Sequence, residues 1–354
     1  MSDVVKAPMV NTVAGEISIE ALGFTLPHEH LFNDIGVREL YPNPDYPAIF
    51  DVPVTPENAW ILRENPLASL DNCRLDSVTD ALDELTEYKK YGGQTVIDVT
   101  PEGQGRNLTK LQEVSKKTGI NIIAGGGWYL EPYHPQWMDG MGPDSLAEYM
   151  LREDYGPTAK RHKSATPGVI GEIGISPGVT SNEIRSLRAA CRVQREANLP
   201  LFVHLPGFIR AAHRILDIIL VEENVPNSAV VLCHIDPSGS DGEYQLSIAD
   251  RGVWLEFDMI GMPFRFNLPG EGRAPDLRMT AEAIERLVNR GYGSSLLFSH
   301  DMFLKTMLRR NGGNGLSFIP SLFDDVLRFH TNCDINTQKV NVNNVKKLFS
   351  LSLK

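Results

Sequence analysis

A (β/α)8 barrel of the TIM type is the fold that this sequence predicts, and three observations carry the prediction. Five apolar, β-compatible runs each close on a possible ligand: Phe24 to His30, Gly168 to Glu172, Leu201 to His204, Val230 to His234 and Leu296 to Asp301. Such a barrel keeps its chemistry at the C-terminal ends of its strands, which is where these side chains fall. Eight strand-like stretches alternate with helix-like ones, a pattern that calls for a parallel sheet and favours closure. The 354 residues have room for one barrel with insertions, so residues 1–354 are read as a single domain.

The first strand is the run that ends in His28-Glu29-His30. Over 76–91, Val78, Ala81, Leu82, Leu85 and Tyr88 recur at helical spacing until Gly92-Gly93 stops the helix. A strand over 95–99, a helix over 108–117, a strand over 120–124 and a helix over 145–154 follow. The fourth strand is 169–173. Thr180 and Glu183, three positions apart, then form a capping-box signature before the helix 184–197. Strand 201–204, helix 209–221, strand 229–234, helix 242–250, strand 253–258, helix 281–290 and strand 296–299 complete the series. Two stretches interrupt it, at about 33–75 and 261–279, rich in Pro with Tyr and Asp or with Gly. Both are read as long loops on the ligand-bearing face, the first either a lid or a packed cover of the rim.

A formal net charge of -11 argues against a phosphate-backbone binder and against anionic membranes as partners. Cys73, Cys191, Cys233 and Cys333 are scattered, with no C-x-x-C pair, and are read as reduced thiols. The N-terminal stretch lacks the basic and apolar pattern of a signal peptide, and no run is long enough to span a bilayer. A soluble, cytoplasmic protein with a small-molecule substrate is the expectation.

Residues i and i+2 of a strand share a face, so His28 and His30 deliver two imidazoles to one point. With His204, His234, Asp301 and a central carboxylate at Glu172, the barrel mouth has more ligands than one tetrahedral zinc needs. Two divalent cations are therefore expected, zinc first, with manganese, cobalt and nickel also suited to imidazole and carboxylate donors. Glu172 would bridge them together with a water. Water between two cations loses a proton near neutral pH, which makes hydrolysis the expected reaction class. By the same alternation Asp301 faces the interior and His300 the helices, while Cys233 is expected to pack outward, opposite to His234.

His28-Glu29-His30-Leu31, Gly171-Glu172-Ile173-Gly174, Val203-His204, His234 and Ser299-His300-Asp301 together resemble the phosphotriesterase family of the amidohydrolase superfamily. Thr100 to Asn107, Gly127-Trp128-Tyr129 and Asn311 to Gly315 add to the resemblance, which runs almost end to end. It implies a binuclear centre in which His28, His30 and Asp301 hold the buried metal and His204 and His234 the exposed one. The organophosphate-degrading members bridge their metals with a carbamylated lysine, whereas this chain resembles the phosphotriesterase-related and homology-protein branch, in which glutamate is the natural bridge.

The same resemblance makes Asp301 the proton acceptor and implies a homodimer. It places Trp128 and Tyr129 either along the substrate pocket or in loop packing, and Arg106 and Arg265 on mouth-facing loops where they would bind an anionic group. A hydrolase acting on a small ester, lactone, amide or organophosphate is the leading function. An N-acyl amino acid amidohydrolase is the alternative within that class. A metal-stabilised binding protein without turnover and a mononuclear deaminase stand outside it.

Overall fold

The computed structural model describes residues 8–36, 51–156, 165–267 and 270–353. Eight parallel strands form the barrel: β1 (Phe24–Glu29), β2 (Gly93–Asp98), β3 (Asn121–Ala124), β4 (Ile170–Gly174), β5 (Leu201–His204), β6 (Val230–Leu232), β7 (Trp254–Phe257) and β8 (Leu296–Phe298). Every strand expected from the sequence is present, within a few residues at each end. The helices α1 (Val78–Lys90), α2 (Leu108–Thr118), α3 (Pro143–Met150), α4 (Ser181–Ala197), α5 (Ala212–Leu216), α6 (Gly242–Ala249) and α7 (Leu277–Asn289) surround them. The capping box at α4 forms as read, with Thr180 and Glu183 each satisfying the other's backbone.

Hydrogen-bonded ladders run in order through β1-β2-β3 and through β4 to β8, which leaves two seams to be closed by other means. At the β8–β1 seam the Glu29 carboxylate accepts from Ser299 Oγ (2.8 Å), His300 N (3.0 Å) and Met302 N (2.9 Å). Ser299 Oγ in turn accepts from His28 N (3.0 Å). Asn341 donates to both Thr25 O and Phe298 O beneath these contacts. At the β3–β4 seam Gly168 and Gly171 donate to Ala124 O and Gly126 O. The strands come so close here that a Cβ at Gly125 would stand 2.1 Å from Gly171 O, so only glycine fits.

Two apolar layers result. Leu26, Val96, Ile122, Ile170, Ile173 and Val203 face the helices. Ile97, Ile123, Val169, Phe202, Val231 and Leu297 fill the barrel interior. That interior is stoppered at its base from two ends of the chain: by Val10 of the N-terminal hairpin (Met9–Thr12 with Gly15–Ser18) with Ile19 and Leu22 from the turn after it, and by Val345, Leu348 and Phe349 from the helix Val345–Ser352. The sequence reading anticipated neither stopper.

The 33–75 insertion is anchored at its base, where Asn33–Asp34 pairs antiparallel with Arg74–Leu75, and it carries a short helix, Ala59–Glu64. The part at 37–50 lies outside the described residues. Among the described residues no helix is long and apolar enough to cross a membrane.

Candidate metal centre

The C-terminal ends of β1, β4, β5, β6 and β8 bring His28, His30, Glu172, His204, His234 and Asp301 to one place, as their spacing predicts. His30 Nε2 lies 3.2 Å from Asp301 Oδ1, and His28 Nε2 lies 3.7 Å from both Asp301 Oδ1 and Glu172 Oε1. Glu172 Oε1 is also 2.8 Å from His204 Nδ1 and 2.8 Å from His234 Nε2. One carboxylate oxygen thus stands between imidazoles from β1, β5 and β6.

Local departures from strand geometry put these groups there. Between Ile170 and Ile173, which both face the helices, the β4–β5 register slips, so Glu172 turns inward above Val169. His234 (φ 58°) and Asp301 (φ 50°) follow the last ladder residues of β6 and β8 in left-handed conformations that ordinary side chains seldom adopt. This corrects the expectation for Cys233. It packs inside the barrel with Val231, and His234 reaches the interior as well because its positive φ breaks the alternation.

Three of the four candidate ligand rings are oriented from behind. His28 Nδ1 lies 2.9 Å from Glu256 Oε2, and His30 Nδ1 lies 2.8 Å from Thr100 Oγ1. Asp258 is 2.8 Å from His234 Nδ1 through one oxygen and accepts His234 N at 2.8 Å through the other. Asp236 steadies this region by accepting from Asp258 N and Met259 N. With Nδ1 donating to a carboxylate, His28 and His234 keep their Nε2 lone pairs for the cavity. The sequence reading gave none of Thr100, Asp236, Glu256 and Asp258 a role in the site. The signal was present in Trp254, Glu256 and Asp258, which alternate on the interior side of a strand buried on both faces.

The electrostatics ask for a cation. Burial opposes charge on His28, yet Glu172, Glu256 and Asp258 outweigh it and raise its pKa to about 10. Burial likewise opposes charge on His234, and Asp258 and Glu172 outweigh it, holding its pKa well above the usual value. Glu172 itself is held well below the ordinary carboxylate range, because His204 and His28 overcome the cost of burial. Burial keeps His204 below the usual imidazole value. His28 Nε2 is fully buried with no hydrogen-bond partner, a position suited to a metal-ligand lone pair. His28, His30 and Asp301 offer ligand atoms within 4.8 Å of one another, as do His28, Glu172 and His234. An all-nitrogen-and-oxygen donor set of this kind fits divalent transition metals.

Above the ligands opens a cavity of about 450 Å³. Tyr129 lines it, its ring edge-on to His204 at 4.8 Å. The other three sequence-based substrate contacts lie elsewhere. Trp128 is buried against Trp137 and Tyr149, which leaves the packing alternative for it. Arg106 is buried and turned away from the mouth, donating to Gly125 O (2.9 Å) and to both oxygens of Asp154 (3.2 and 3.3 Å). It braces the β3–β4 seam. Arg265 is absent from the described lining, and its backbone joins Arg273 and Arg63 at the outer rim. Arg106→Ala is therefore expected to destabilise the fold by about 3 kcal/mol or more, the cost of stranding a buried carboxylate. Urea unfolding should report this loss, with kcat/KM of the folded fraction little changed.

The sequence from 8 to 349 matches the family model described as the phosphotriesterase family. The chain belongs to this family. An N-acetyltaurine hydrolase from Salmo salar is 32% identical, with 88% of each chain covered. A solved structure titled a resiniferatoxin-binding protein from Rhodobacter sphaeroides is 37% identical, covers 98% of this chain and 96% of its own, and superposes with a TM-score of 0.91. The phosphotriesterase homology protein from Escherichia coli, 23% identical over 93% of this chain and 99% of its own, shares the fold with a TM-score of 0.76. Phosphotriesterase-family membership makes this barrel a metal-dependent hydrolase of small molecules.

Proposed function

We propose that this phosphotriesterase-family hydrolase uses two cations and Glu172 as their shared ligand to cleave a carboxamide, ester or lactone bond, with N-acyl amides the first class to try. The observation that carries the reading is the position of Glu172 Oε1, 2.8 Å from two imidazoles and 3.7 Å from a third. His28, His30 and Asp301 would hold the buried cation, and His204 and His234 the outer one. When bound, zinc, or manganese, cobalt or nickel, would polarise the substrate's carbonyl oxygen and lower the pKa of water at the site.

The chain's own groups do the rest. Asp301 sits at the cavity floor beside His30, placed to take the proton of the attacking water and pass it to the leaving group. Tyr129 closes one wall over His204, and Glu256 and Asp258 keep the imidazoles in the tautomer that faces the cavity. The N-acetyltaurine hydrolase name of the 32%-identical relative favours amides. The 37%-identical Rhodobacter chain is named for a ligand that it binds, so the assay has to separate turnover from binding.

Metal analysis and a panel of N-acyl amides, esters, lactones and aryl phosphotriesters test this reading. The expected result is two cations per chain, loss of hydrolysis on chelation and recovery on adding zinc, manganese or cobalt. Undiminished turnover by metal-free protein, or one cation per chain with ammonia release, would overturn it.

A further inference from the structure

We propose that the natural substrate is uncharged and carries a bulky apolar group remote from the scissile bond, rather than an anionic head group such as a sulfonate or a carboxylate. The inference rests on the hydrolase reading above and concerns what fills the cavity beside the metal centre.

Among the described residues lining the cavity there is no lysine or arginine. The charged groups there, apart from the candidate ligands His30, Glu172, His204, His234 and Asp301, are the carboxylates Glu131, Glu183 and Glu271. An anionic substituent would meet like charge with no side-chain cation to offset its lost hydration. The helix N-terminus that opens here gives no substitute. Glu183, in the first turn of that helix, already accepts Ser176 N and Thr180 N (3.0 Å each) and Glu131 N (3.2 Å), so the protein's own carboxylate occupies this end and would repel an incoming anion.

The remaining wall is apolar. Leu130, Pro132, Leu205 and Ile209 line it, and Phe208, Phe266 and Phe303 form a row, with ring centroids 6.4 and 6.5 Å apart. Phe266 joins the other two rings, coming from the loop after β7, whereas they come from the loops after β5 and β8. A cavity of about 450 Å³ takes a ligand much larger than an acetylated amine. Binding energy from the remote part of such a ligand would act through contact with this aromatic row.

Matched pairs decide the matter on the metal-loaded enzyme. N-octanoylglycine and N-acetyltaurine are compared with N-octanoylglycine N-methylamide and N-acetylglycine N-methylamide, with acid release followed by mass spectrometry and binding by calorimetry. The expected result is that the octanoyl methylamide exceeds every anionic member in kcat/KM by at least tenfold. Phe266→Ala should lower kcat/KM for that substrate about tenfold more than for the acetyl methylamide. Phe266→Leu, which keeps more of the loop's packing, should fall between. Equal or better turnover of an anionic member would overturn this inference and leave the hydrolase reading standing. Tight binding of the octanoyl methylamide and weak binding of the anionic members, with no turnover of any, would uphold the preference for an uncharged, apolar ligand and overturn the cleavage of N-acyl amides. Absence of both binding and turnover for the octanoyl methylamide would overturn the inference.

Discussion

Glu172→Ala is expected to lower kcat/KM by about 10³-fold or more and to leave at most one cation bound per chain. The magnitude follows from what is lost. The Lewis-acid contribution of a metal is worth several kcal/mol, and about 4 kcal/mol corresponds to three orders of magnitude in rate. The direction follows from geometry, because Glu172 Oε1 alone touches ligands from both halves of the site. Glu172→Gln keeps the side chain's shape but offers a neutral amide, so it should fail almost as badly. Metal content by elemental analysis and thermal melting of the metal-free proteins check the result. A merely structural glutamate would lower the melting temperature and leave metal stoichiometry intact. Full metal loading with near-normal turnover in Glu172→Ala would remove the central claim about this site.

The cluster of candidate ligands was legible because strand periodicity is a short-range property: His28 and His30 share a face whatever the rest of the chain does. Asp301 was separable from His300 on the same ground, and the structure gives His300 a packing role, with Nδ1 2.8 Å from Glu29 and Nε2 accepting Ile319 N. Where the backbone leaves the regular strand, the parity argument fails. Cys233 is the example, for the positive φ at His234 puts two consecutive side chains on the interior side.

Arg106 was misplaced for another reason. Its partner Asp154 is 48 residues away in sequence, beyond α3, and no local pattern pairs them. The N-terminal base stopper was missed because Val10, Ile19 and Leu22 belong to elements of three or four residues or to their flanks, too short for a period to show. Side chains placed to face a metal announced themselves by type and spacing. Those that act through a neighbour needed the tertiary structure.

Asp258→Asn gives the second large effect, and a tautomer argument predicts it. The native carboxylate accepts twice from one residue, facing His234 Nδ1 with Oδ1 and His234 N–H with Oδ2, both at 2.8 Å. An asparagine has one accepting oxygen and one donating nitrogen. If the oxygen keeps the backbone N–H, the amide nitrogen faces Nδ1 and moves the ring proton to Nε2, where it blocks the lone pair that faces Glu172. If the oxygen keeps Nδ1–H, two donors meet at the backbone of a residue held at φ 58°. Either way the outer cation loses a properly presented imidazole, whereas His28, His30 and Asp301 still hold the inner one. Partners of this kind are worth about 10- to 100-fold in metal affinity or activity. The expected outcome is one retained cation and one weakly held, with activity restored in part by excess zinc. Asp258→Ala should behave differently, since it removes the wrong donor and leaves Nδ1 free to keep its proton. If Asp258→Asn binds both cations as tightly as the parent protein, the carboxylate is packing and His234 is oriented by something else.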